Sequence, residues 1–123
     1  MTRRKKSPLS KTRRDLEARY KATYDDLPHS CRCALCGKVA PKEAMERHHP
    51  ARRRKHAFLF TVQLCGQPCH HWVEHHGKQA EELGLLWKGR NSKNCNVDVV
   101  RELVHLMPFP PLYSIDIYTK YSP

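Results

Sequence analysis

Apolar residues in this chain fall into short groups whose spacing sets the expected elements. Leu16, Tyr20, Tyr24 and Leu27 recur at helical spacing, one stripe of a helix over Thr12–Asp26 that Pro28 ends. Pro41, suited to a first helical position, opens a short helix or turn through Glu46. Residues 47–53 and 57–64 read as two strands, the second rich in β-branched and aromatic side chains. A helix over His70–Leu83, interrupted at Gly77, takes its apolar side from Trp72 and Val73. After a polar linker, Gly89–Lys93, Asn96 is a favourable N-cap for a helix through His105. Val99, Val100, Leu103, Val104 and Met107 face inward from it. Pro108, Pro110 and Pro111 end that helix, and the tail Tyr113–Pro123 reads as extended. The chain is thus expected to divide into a basic disordered arm (1–11), an N-terminal helix (12–30), a central unit (31–88), a linker and helix (89–107) and an extended tail (108–123).

Composition narrows the class. The length of 123 residues suits one domain with tails, and 39% apolar residues with a mean hydropathy of −0.77 leave a thin core. No apolar run approaches the roughly 18 residues a membrane span needs, and the basic start Met1–Lys6 has no apolar stretch behind it. A reducing, cytoplasmic location is expected, where paired cysteines bind metal more often than they form disulfides. A net charge of +11 points to a polyanionic partner. Seven of the 23 basic residues fall in the first 14 positions, the pattern of a solvated arm. The run Arg52-Arg53-Arg54-Lys55-His56 differs because it follows His48 and His49, where phosphate binding is the natural role.

The cysteines and histidines carry the chemistry. Cys33-Ala34-Leu35-Cys36-Gly37 and Cys65-Gly66-Gln67-Pro68-Cys69 each present two sulfurs from a tight turn, a donor set for tetrahedral Zn²⁺. Gly37 allows the first turn a positive φ. Four thiolates satisfy a structural zinc without help. The imidazoles of His48, His49 and His70 then point to a second, open metal site with a general base, the chemistry of metal-assisted phosphodiester cleavage. On the following helix two i, i+4 pairs compete, His70–Glu74 and His71–His75; the first is preferred because His70 directly follows a zinc ligand. Cys31 leaves only one residue before Cys33, too tight for chelation, and Cys95 reads as a small buried residue. His29, His76 and His105 read as surface or core residues.

Cys-x-x-Cys-Gly, then His48-His49-Pro50 with its basic loop, then Leu64-Cys65 and Cys69-His70 resemble the HNH (His-Asn-His) endonuclease family. The likeness is to its zinc-ribbon-containing form, and most of all to small phage-type members; it covers residues 31–77. It implies an α+β chain built on a small ββα-metal, or treble-clef, zinc-binding unit with flanking helices. It assigns Cys33, Cys36, Cys65 and Cys69 to structural zinc, His48 and His70 to a catalytic divalent ion such as Mg²⁺ or Mn²⁺, and His49 to the general base. Glu74 would add a third ligand. An imidazole, titrating near neutrality, can accept the proton of the attacking water. Two departures stand out: the second cysteine pair is spaced by three residues, and Phe60 occupies the place of the middle Asn. Asn91, Asn94 and Asn96 lie beyond the unit, which leaves His56 as a substitute. The implied function is a hydrolase that nicks or cuts DNA, held mainly by its phosphate backbone, in the host cytoplasm if phage-encoded. The alternative is a non-catalytic zinc-ribbon module that binds nucleic acid, or a component of a larger nucleoprotein complex joined through the tails.

Overall fold

A computed structural model describes residues 6–51, 55–87 and 96–122, with the backbone alone for residues 6–12, 55 and 56. Helix α1 (Lys6–Asp25) starts earlier than the apolar stripe predicts, so the arm expected over 1–11 is helical from Lys6. Pro8 fits because it lies in the first turn, where its missing N–H breaks no helical bond. Leu16, Tyr20 and Tyr24 pack against the core as their spacing requires, and Leu27 is buried.

Two small antiparallel sheets follow. Strand β1 (Ser30–Arg32) pairs with β2 (Val39–Pro41), Cys31 opposite Ala40. Pro41 ends β2 instead of opening a helix; a 3₁₀ turn, Lys42–Ala44, leads straight into β3 (Met45–His48). Strand β4 (Val62–Cys65) pairs with β3, Met45 opposite Cys65 and His48 opposite Val62. Both strands of this hairpin are shorter than expected. Residues 55–59 form a 3₁₀ turn, which takes residues 57–59 out of the expected strand. Ala57, Leu59 and Phe60 are buried while Phe58 turns to Tyr20 of α1, a pattern that two-residue alternation cannot satisfy.

After β4 a π-type turn, Gly66–His70, runs into α2 (His71–His75). The expected helix breaks at His76 (φ −130°, ψ 58°), and Gly77 opens α3 (Gly77–Glu82) instead of interrupting it. Gly84 (φ +74°) follows α3 in the left-handed region, where any Cβ would also collide with the Leu103 carbonyl. The linker 88–95, Cys95 included, lies outside the described residues. Helix α4 (Val97–Leu106) begins at the expected N-cap, the Asn96 side chain accepting from the N–H groups of Asp98 and Val99 at 2.9 and 3.1 Å.

The tail is the largest correction. It is a helix, α5 (Leu112–Tyr121), with Pro111 standing just before its first turn and Ser114, Ile115 and Tyr118 buried at helical spacing. It packs on α4 and reaches α1, where Asp26 accepts from Lys120 Nζ at 2.8 Å and from the Tyr121 hydroxyl at 2.9 Å. The shared core gathers Leu59, Phe60, Val62 and Leu64 around β4 with Val73, Leu85, Val100 and Val104. The described residues make a small α+β fold of five helices and two two-stranded sheets. No helix among them is long and apolar enough to cross a membrane.

Candidate functional site

The four paired cysteines meet at one point. Cys33 follows β1, and the turn behind it closes by a Gly37 N–H bond to the Cys33 carbonyl (3.0 Å), with Gly37 at φ +84°. The Ala34 N–H bonds the Gln63 carbonyl at 3.1 Å, which laces this knuckle to β4 beside Cys65. Cys69 comes from the π-type turn, whose wider spacing takes up the extra residue of the second pair. The Sγ atoms of Cys33, Cys36, Cys65 and Cys69 lie within 4.8 Å of one another, those of Cys36 and Cys65 at 3.7 Å. Zn–S bonds of about 2.3 Å in a tetrahedron give S–S edges of about 3.8 Å, so the set fits a metal ion such as zinc.

The electrostatics agree. Burial opposes ionisation of Cys33, but amide N–H groups of Cys36 and Cys65, each 3.4 Å from its sulfur, overcome this and bring its pKa down to about 7. Burial and the neighbouring sulfurs push Cys65 up to about 11 and hold Cys69 well above the ordinary thiol range. A divalent cation supplies the charge that would let all four ionise together. Cys31 is turned away, its thiol donating to the Pro28 carbonyl at 3.4 Å.

The histidines divide between the two faces of β3. Alternation sends Glu46 and His48 one way, Arg47 and His49 the other. His48 is buried and bonds the Leu85 carbonyl through Nε2; the segment that carries Leu85 is fixed alongside by Trp87 N–H bonding the Pro50 carbonyl at 2.7 Å. Burial, opposed by that carbonyl bond, lowers the His48 pKa to about 4, so the ring is neutral at physiological pH. His70, first residue after Cys69, meets it edge to face with ring centroids 5.3 Å apart. His70 itself sits between two carboxylates, Glu46 Oε1 at 2.6 Å from Nδ1 and Glu74 Oε2 at 3.7 Å from Nε2. Of the two competing pairs, His70–Glu74 is therefore the one brought to His48. His71 and His75, both exposed, meet at a tilt with ring centroids 4.2 Å apart.

Among the described residues the thiols gather their donor atoms within 4.8 Å; His48, His70 and Glu74 do not gather so closely. His49 packs against both Tyr20 and Phe58, ring centroids 5.6 and 5.4 Å away, on the face opposite His48, and those two rings also touch each other at 4.4 Å. Beside it the Arg47 guanidinium lies 4.0 Å over Tyr20 and donates to Thr23 Oγ1, Thr61 Oγ1 and the Tyr20 carbonyl. Phe60 is fully buried, edge to face with Tyr118. Arg52, Arg53 and Arg54 lie outside the described residues, and Lys55 and His56 are described in backbone only, within the 3₁₀ turn. Sequence reasoning missed Glu46, Arg47 and the Leu85 carbonyl. The period-two register of β3, which puts Glu46 on the face of His48, was the signal for the first of these.

No family model matches the chain, no curated protein matches it, and no solved structure matches it.

Proposed function

We propose that this chain is a metal-dependent HNH-type endonuclease that nicks or cuts DNA. In this reading the β3–β4 hairpin, the turn after it and α2 form a ββα-metal unit, clamped by zinc on the four cysteines. The observation that carries it is the meeting of His48 and His70, from a strand and from the turn behind a cysteine knuckle, with Glu74 alongside. These three would hold a divalent ion such as Mg²⁺ or Mn²⁺, which when bound would supply charge to the scissile phosphate and the leaving oxyanion. His48 is kept neutral by burial, as a metal ligand must be. His49, its plane held by Tyr20 and Phe58, is the base that takes the water proton. The +11 charge supplies non-specific affinity for the phosphate backbone, with Arg52 to His56 next to the histidines in sequence.

A second reading has a specific observation behind it. Phe60 belongs to the core, and His49 stacks on aromatic rings away from His48, an arrangement suited to a zinc-clamped nucleic-acid-binding module without turnover. A plasmid-nicking assay with Mg²⁺ or Mn²⁺ separates the two. The nuclease reading expects cleavage that His49→Ala reduces by roughly 10²–10⁴-fold, with DNA affinity retained. DNA binding without cleavage under either metal would leave the binding module.

A further inference from the structure

Glu46 has no place in the ligand set above, yet it makes the shortest polar contact that His70 has. We infer that Glu46 is a positioning residue that fixes the tautomer of His70, and that Gly66 exists to admit its carboxylate. The inference deepens the metal-site reading of His48, His70 and Glu74 and rests on it for its purpose.

A carboxylate can only accept, so at 2.6 Å the His70 Nδ1 must be the donor. A neutral imidazole has one N–H, which leaves Nε2 with its lone pair. That nitrogen faces Glu74 at 3.7 Å, in a ring whose centroid lies 5.3 Å from that of His48. The ring is thus contested by two carboxylates, and the nearer one decides. With Glu46 absent, Glu74 becomes the acceptor, the proton moves to Nε2, and the lone pair needed by a divalent cation is lost. Histidine ligands commonly donate their other ring N–H to a carboxylate in this manner, and removing it typically costs about 10–100-fold in metal affinity.

The second observation lies in the knuckle. A Cβ placed on Gly66 would have Glu46 side-chain atoms as its three nearest neighbours, Oε2 at 2.8 Å first. Gly66 does not occupy the positive-φ region, so its lack of a side chain answers to space and not to backbone. The space is the one Glu46 fills. Alanine there can be accommodated by moving the end of a flexible side chain, so Gly66→Ala should fold while displacing the carboxylate.

The test is long-range ¹H–¹⁵N spectroscopy of the histidines in the zinc-loaded full chain at about pH 8.5, above the ordinary imidazole range. A Mn²⁺ titration read from the broadening of the His48 and His70 signals accompanies it. His70 should carry its proton on Nδ1. Glu46→Ala and Gly66→Ala should move it to Nε2 and weaken Mn²⁺ by about 10–100-fold. Glu46→Gln, whose amide oxygen still accepts, should restore the Nδ1–H form and most of the affinity. Glu74→Ala should weaken Mn²⁺ with the tautomer unchanged. A wild-type ring protonated on Nε2, or an unchanged tautomer in Glu46→Ala, overturns the inference. An Nδ1–H ring that responds to Glu46→Ala, in a chain that neither binds Mn²⁺ nor nicks DNA, upholds the assignment and removes only the nuclease reading.

Discussion

The cysteine cluster and the histidine cluster share the turn behind β4, which carries both Cys69 and His70, yet they are assembled by different means. Cys33 and Cys36 sit on a hydrogen-bonded turn, Cys65 ends β4 and Cys69 belongs to the turn directly after it, and two amide N–H groups point at the Cys33 sulfur. Short side chains on rigid turns leave little freedom, so the four sulfurs converge. The histidine cluster uses longer side chains from β3, the turn and α2, oriented by partners far along the chain: Leu85 is 37 residues from His48, Glu46 is 24 from His70. Within each knuckle the thiols are set by a local turn, although the two knuckles meet across 29 positions. The partners that orient His48 and the Nδ1 of His70 come from tertiary packing alone. Dependence between them should therefore run mainly one way, because Cys69 directly precedes His70 while the hydrogen bond of His48 goes to Leu85 and not to a clamp cysteine.

Breaking the clamp should have the largest effect. Cys33→Ser or Cys69→Ser should abolish stoichiometric zinc and leave the chain unfolded or aggregated, since the thin core cannot replace a metal crosslink. Metal analysis with circular dichroism checks it, and a folded, zinc-free Cys69→Ser chain would refute it. The reverse experiment sharpens the asymmetry. His48→Ala should keep one equivalent of zinc, lose affinity for a second divalent ion, and destabilise by about 1–3 kcal/mol because the buried Leu85 carbonyl loses its donor. Loss of the zinc in that variant would show the two clusters to be one unit.

The same division explains what the sequence revealed. Cysteine spacing and the Gly37 turn are local, so the clamp could be placed from residues alone. Helix α4 was legible for the same reason, its N-cap two residues from the amide it satisfies. Helix α5 was hidden by three prolines that read as an ending, although Pro111 is well placed just before a first turn. In the 3₁₀ turn at 55–59, Phe58 meets Tyr20, a contact across 38 positions that no β-propensity anticipates. Leu85 stayed invisible as a site residue because its partner is distant and it acts through its backbone. Glu46 was legible only as a neighbour of His48 on one face of β3 and not as the partner of His70, 24 positions away.

Acid should act on the histidine cluster with a defined sign. His48 titrates near about 4 in the fold, below the ordinary 6.5. Between those values the unfolded chain binds a proton that the folded chain refuses. Stability from this group is fully present above about pH 6.5 and declines as the pH falls towards 4, by up to about 1.4 kcal/mol per unit. The clamp also loses metal in acid, so the informative quantity is the difference between wild type and His48→Gln in denaturant titrations. That difference should be flat from pH 7 to 8 and shrink below 6.5. A constant difference down to pH 5 would place the His48 ring in a more solvated setting than its contact with Leu85 implies.

The smallest expected effect lies outside both clusters, at the latch between α1 and α5. Asp26 accepts from Lys120 and from the Tyr121 hydroxyl, which together hold its carboxyl below the usual range, while the Tyr121 carbonyl takes a bond from Arg19 at 2.9 Å. The ion pair is open to water, so its contribution is small and screened by salt. Asp26→Asn should lower Tm slightly at low ionic strength and not at all near 1 M salt. Zinc content and any Mn²⁺ affinity should stay unchanged, because the hydrogen bonds and ion pairs that place His48 and His70 run to Leu85, Glu46 and Glu74 and not to α1. His49 does touch α1, through Tyr20. Loosening the latch should therefore register, if anywhere in the site, as altered ring shifts at His49 with His48 and His70 unmoved. Equal perturbation of all three histidines would mean that α1 braces the whole hairpin and that the two faces of β3 are not independent.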